Sequence, residues 1–122
     1  MPKLKCEGWW EQDGYGRQPM NGLMIEFTDG LLTGGGEDIV GPFELRGCIQ
    51  ENKILIHKQY LGKHFIDYRG TTDGEGFYSG NWYAGGLIGG KWSIRFLAFA
   101  DSELVDITEI GRRENQQSGF ML

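Results

Sequence analysis

The sequence predicts an all-β domain, a single antiparallel up-and-down β-barrel of about eight strands. Three observations lead there. Short apolar runs with two-residue alternation recur along the chain, and no long stretch before residue 100 keeps a helical period of apolar positions. The 122 residues include 21 glycines against 3 prolines, more than twice the usual ~7% glycine and without a collagen-like period, so the chain must turn often. Most links between the runs are short enough for hairpins, which makes consecutive strands antiparallel neighbours. Strands in that meander order close well into a barrel, which removes the exposed edges of an open sheet.

The first strand is expected over Leu4–Glu11, followed by a long loop, Gln12–Asn21. Gly22–Thr28 and Leu31–Gly34 come next, joined at Thr28-Asp29-Gly30, and Gly35–Pro42 is a second long loop at one mouth of the structure. The remaining strands are Phe43–Gln50, Ile54–Leu61, His64–Thr71, Phe77–Ala84 and Gly90–Phe99, separated by turns at Glu51-Asn52, Leu61-Gly62-Lys63, Asp73-Gly74-Glu75-Gly76 and Ala84-Gly85-Gly86.

The middle strands check one another. A two-residue turn at Glu51-Asn52 sets Phe43 opposite Tyr60, Leu45 opposite Lys58, Gly47 opposite Ile56 and Ile49 opposite Ile54. A three-residue loop at Leu61–Lys63 sets Tyr60 opposite His64, Lys58 opposite Ile66 and Ile56 opposite Tyr68. One face of the shared strand is apolar in both pairings, as a sheet with one buried face requires. The other face carries Arg46, His57 and Asp67 in a row, a charge-paired exterior in which His57 and Asp67 form a cross-strand polar pair.

An internal echo, Gly76-Phe-Tyr-Ser-Gly-Asn-Trp82 against Gly86-Leu-Ile-Gly-Gly-Lys-Trp92, supports the last hairpin. It predicts Trp82 opposite Ile88, Gly80 opposite Gly90 and Tyr78 opposite Trp92, with the glycines leaving room beside the indoles. Ala100–Asn115 reads either as a final strand or as a short amphipathic helix capped at Asp101 or Ser102. Residues 1–115 are thus expected to form one domain, with Gln116–Leu122 a loose tail.

Charge and composition exclude several classes. The net charge is -5 and the pI about 5.0, which argues against nucleic acid or an anionic membrane as partner, since phosphate binding runs on clustered Lys and Arg. No apolar run approaches the ~18 residues of a membrane span, and the start lacks the apolar stretch of a signal peptide. A cytoplasmic protein with free Cys6 and Cys48 is therefore expected, a single inter-strand disulfide being the alternative. No cofactor is expected and no metal: the two histidines have no cysteine pair nearby, and Glu37 and Asp38 supply two oxygens where Ca²⁺ wants about 6–8. An Asp38 side chain bonded to the backbone of its own turn is the simpler reading. The glycines at 34–36 lack the Lys-Ser/Thr of a phosphate cradle.

Gly8-Trp9-Trp10 resembles the G-x-W signature of lipocalins, avidins and other calycins, whose barrels share the meander order. The resemblance implies an arginine packed over that tryptophan, for which Arg112 or Arg113 is available. The biotin-contacting pattern of avidins is not recognisable, so no biotin-binding residue carries over. The run Gly34-x-Gly36-x-Asp38-x-x-Gly41-x-Phe43-x-Leu45-x-Gly47, continued by Lys58-x-Tyr60-x-Gly62-x-His64, Tyr68-x-Gly70 and Gly80-x-Trp82, is similar to a glycine-rich β-meander domain of uncharacterised proteins. That likeness spans residues 34–92, roughly half the chain, and implies no established activity.

The expected registers put Lys58, Tyr60, His64, Tyr68, Tyr78, Trp82 and Trp92 on the interior face. Trp10, with Trp9, Tyr15 and Met20, clusters at the first long loop as a lid over one mouth or as a patch that pairs two subunits. An interior Lys58 must be paired, neutralised or close to water. Either Lys58 and His64 meet the polar part of a small ligand stacked on the rings, or both sit at a barrel end and reach solvent. The leading function is a non-enzymatic small-ligand-binding module. The alternatives are a self-associating structural or interaction domain with a filled core, forming a homo-oligomer, and a lyase or isomerase using His64 and Lys58. Lys58→Met separates the readings: binding lost with the fold intact, or little change at all. A large loss of stability would overturn both and reveal a buried ion pair.

Overall fold

The computed structural model describes residues 3–99. Eight antiparallel strands run in simple meander order, β1 (Lys3–Gln12), β2 (Gly16–Thr28), β3 (Leu31–Glu37), β4 (Pro42–Gln50), β5 (Lys53–Tyr60), β6 (Phe65–Thr72), β7 (Phe77–Ala84) and β8 (Leu87–Phe99). Pairing of β1 with β8 closes the barrel. Four links, at 13–15, 38–41, 61–64 and 85–86, lie at one end; those at 29–30, 51–52 and 73–76 lie at the other. The expectations for residues 100–122, including strand or helix, the roles of Arg112 and Arg113 and the loose tail, fall outside the described residues. Among the described residues no helix is long and apolar enough to cross a membrane.

The central meander has the register its alternation dictates. Phe43 pairs with Tyr60, Leu45 with Lys58 and Gly47 with Ile56, while Lys58 pairs with Ile66 and Ile56 with Tyr68. His57 and Asp67 face each other outside, 3.2 Å apart.

Three expectations are corrected. Residues 16–21 are strand, paired with β1 as far as Gln12↔Gly16. Proline at position 19 and the lack of periodicity hid this extension, which runs past the end of β3, where among the described residues no strand takes up the other side of β2. Likewise β3 continues through Gly34-Gly35-Gly36 to Glu37. A Cβ at Gly34 would meet the Met24 carbonyl oxygen at 2.2 Å, and one at Gly36 the Phe43 ring at 3.1 Å, so these glycines let neighbours approach rather than forming a loop. Finally, Gly80 pairs with Trp92 and Trp82 with Gly90, two positions from the expected register, while Ala84 pairs with Leu87, one position from it. Gly85 and Gly86 both have positive φ, 60° and 82°, which suits a two-residue type I′ turn, and a register shift follows between Trp82 and Tyr83.

Below the loop end the interior is filled with side chains. Phe96 packs against Phe27 and Tyr78, at centroid distances of 5.3 and 5.2 Å. Trp92 is stacked on Tyr68 at 5.0 Å and donates its indole N–H to the Arg69 and Asn81 carbonyls. Cys6 and Cys48 are free, Cys6 buried and Cys48 exposed. Burial pushes the Cys6 thiol pKa far above its ordinary value, and only the thiolate is nucleophilic. Iodoacetamide is therefore expected to label Cys48 alone in the native protein and Cys6 only after unfolding; peptide mapping checks this.

Candidate functional site

Alternation along β5 turns Ile54, Ile56, Lys58 and Tyr60 inward. Lys58 is consequently buried, its side chain 1% exposed, and its partner comes from the link after β3. There Asp38 and Gly41 exchange backbone hydrogen bonds of 3.1 and 3.0 Å, and the Val40 N–H donates to Asp38 Oδ1 at 2.9 Å. This is the side-chain-to-backbone turn expected from the sequence, and it directs Oδ2 into the barrel. Oδ2 accepts from Lys58 Nζ at 2.6 Å, Tyr60 Oη at 2.7 Å and Trp10 Nε1 at 3.0 Å.

The ammonium is fully engaged. Besides Asp38 it contacts Tyr68 Oη at 2.9 Å and Met20 Sδ at 3.7 Å. The Phe43 ring centroid lies 4.3 Å away and that of Tyr60 4.8 Å, within cation–π range. Gly36 makes space for that Phe43 ring.

The electrostatics follow from this packing. Burial pushes the Asp38 carboxyl pKa up, but hydrogen bonds from Lys58 and Tyr60, with the Lys58 charge, outweigh it and hold the group below its ordinary value. Burial draws Lys58 down to about 8, and Asp38 limits the fall. Burial keeps Tyr60 and Tyr68 neutral well above the usual tyrosine range, helped at Tyr60 by its hydrogen bond to Asp38 and then the Asp38 charge, and at Tyr68 by Tyr60 and then Asp38.

Above this network, at the same end of the barrel, opens a pocket of about 240 Å³ bordered by Trp10, Gln12, Val40, Tyr60, His64, Ile66, Tyr68, Trp82 and Ala84. Trp10 and Trp82 meet edge to face, 6.1 Å apart at 85°, and the Trp82 indole donates to the Glu11 carbonyl at 2.9 Å.

Of the residues singled out from sequence, Trp10, Tyr60, His64, Tyr68 and Trp82 come together around the pocket. Lys58 does not border it and does not reach solvent; it is sealed behind the tyrosines. Tyr78 and Trp92 belong to the core below. His64 lies in the link before β6 and is exposed, its ring 5.2 Å from that of Tyr60. Asp38 as the partner of Lys58 escaped the sequence reading, although an inward lysine near a barrel end calls for an acid from a loop at that end. Met20 lies buried beside Lys58, whereas Tyr15 is exposed at the turn. Arg17 from β2 covers the Trp9 ring at 3.8 Å.

Among the described residues no group of acidic, histidine or cysteine side chains could hold a metal, and both Asp38 oxygens already have partners. No protein-family model, no curated protein and no solved structure matches the chain.

Proposed function

We propose that this chain is a calycin-like, non-enzymatic binding module of the cytoplasm that takes one small, flat ligand at the loop end of its barrel. The observation that carries the reading is the pocket of about 240 Å³ walled by two tryptophans and two tyrosines. Aromatic walls with few polar groups are the usual make-up of small-molecule sites. A cavity of ~150 Å³ accommodates benzene, so this pocket has room for one or two rings. Binding rather than catalysis is favoured because Lys58 and Asp38, the ionised pair nearest the pocket, are saturated by one another and by the surrounding hydroxyl and N–H groups. Nucleic acid, membrane, metal and cofactor have no part in the proposal.

Self-association is the second reading, favoured by apolar side chains at the same end: Leu87 and Ile39 are each 75% exposed and Tyr15 70%. Native mass spectrometry of protein isolated from its own host tests both. An added mass of a small molecule, lost on denaturation, is expected. A bare monomer in the native spectrum, with no small molecule released, would overturn the binding reading, and the same spectrum counts subunits.

A further inference from the structure

Resting on that reading, the chemistry of the pocket wall narrows the ligand. The polar hydrogens of its aromatic residues are all committed within the protein. Trp10 Nε1 and the Tyr60 hydroxyl donate to Asp38, the Tyr68 hydroxyl faces Lys58 and Met20, and Trp82 Nε1 donates to the Glu11 carbonyl. The wall therefore presents ring surface, with Ile66, Val40 and Ala84 adding aliphatic carbon. A polar group placed deep in this pocket would lose its water and gain no hydrogen bond from those donors.

The rim is different. Gln12 and His64 border the pocket, are exposed, and make no side-chain hydrogen bond among the described residues. Lys63, next to His64, holds its Nζ 2.8 Å from the carbonyl of Val40, itself a pocket residue, which fixes an ammonium at the same rim. Among the described residues no carboxylate borders the pocket; Asp38 is sealed behind it with both oxygens engaged. A ring compartment whose indole and phenol donors are committed, with a histidine on its border and a lysine bonded to the carbonyl of another bordering residue, suits a ligand with an apolar end and an anionic end.

We infer that the ligand is an aromatic carboxylic acid of one or two rings, bound rings inward, with its carboxylate at the rim beside His64 and Lys63. The pocket volume excludes larger fused systems, and the committed indole and phenol groups disfavour ligands carrying polar substituents on the inner ring.

The test is isothermal titration of three probes with one body and different heads: 2-naphthoate, 2-naphthalenemethanol and 2-naphthylmethylammonium. Binding of 2-naphthoate about tenfold tighter than the ammonium is expected, with the alcohol between, since solvent-exposed charges contribute modestly. The double variant Lys63→Ala/His64→Gln should lose the carboxylate preference, its affinities for the carboxylate and the alcohol converging. Equal binding of all three, tighter binding of the ammonium, or a preference that survives in the variant would overturn the carboxylate assignment and leave the binding-module reading standing. Failure of all three to bind would overturn both.

Discussion

Replacing Lys58 with methionine is expected to destabilise the barrel by about 3–5 kcal/mol at pH 7, the range for removing one partner of a buried ion pair. The side chains of Lys58 and Asp38 are 1% and 0% exposed. Methionine fills similar volume, so the loss does not come from a cavity. It comes from Asp38, left with the Tyr60, Trp10 and Val40 donors but without its counter-charge. A carboxylate so placed is relieved by taking up a proton. Its folded-state pKa then lies above the unfolded value, so the variant should regain stability as pH falls from 7 towards 5 and lose it as pH rises. The double variant Lys58→Met/Asp38→Asn removes both charges and keeps an acceptor for Val40, though its amide N–H₂ leaves the Trp10 N–H without an acceptor; it should recover part of the loss, because neutral replacements of buried pairs are often tolerated. Urea unfolding of the three proteins checks this. A single-variant loss below about 1 kcal/mol, or a double variant no better than the single, would show that the pair is not sealed from water.

The second large effect is expected at Gly80. A Cβ there would lie 1.9 Å from the Arg69 carbonyl oxygen and 2.5 Å from Gly70 Cα, both backbone atoms of β6. No rotamer change relieves such a clash; β6 and β7 must separate. The same Arg69 oxygen accepts the indole N–H of Trp92, which is fully buried. Gly80→Ala is therefore expected to cost about 3 kcal/mol or more, the upper range for overpacking, and to lower Tm by roughly 12 °C or more. Gly14→Ala is the comparison: at φ 89° its Cβ would meet nothing within 4 Å, leaving only the strain of a left-handed alanine, about 1–2 kcal/mol. Thermal unfolding of both variants decides the matter, and equal losses would refute the steric account.

Much of the fold was legible because alternation is a local signal. From Phe43 to Tyr68 each apolar position carries its own evidence for a face, and a two-residue turn transmits register without ambiguity. Where glycine replaces the alternating side chain, that signal vanishes. Gly34-Gly35-Gly36 read as a loop, and the register beyond Gly85-Gly86 slipped by two. Glycine at a close backbone approach and glycine at a turn look alike until the neighbouring strand is in place.

The site divides in the same way. Sequence alone brought out the barrel, the inward face and the oddity of a lysine on it, and from that face came three of the aromatic pocket residues, Tyr60, Tyr68 and Trp82. Only the tertiary structure showed that Lys58 is buried against Asp38 and does not border the pocket. Its fate depends on Asp38, twenty residues away in a loop whose path no periodicity records. Closure of β1 on β8 likewise decided which rings face the pocket and which fill the core. Alternation says which way a side chain points; what it meets there depends on distances between strands far apart in the chain.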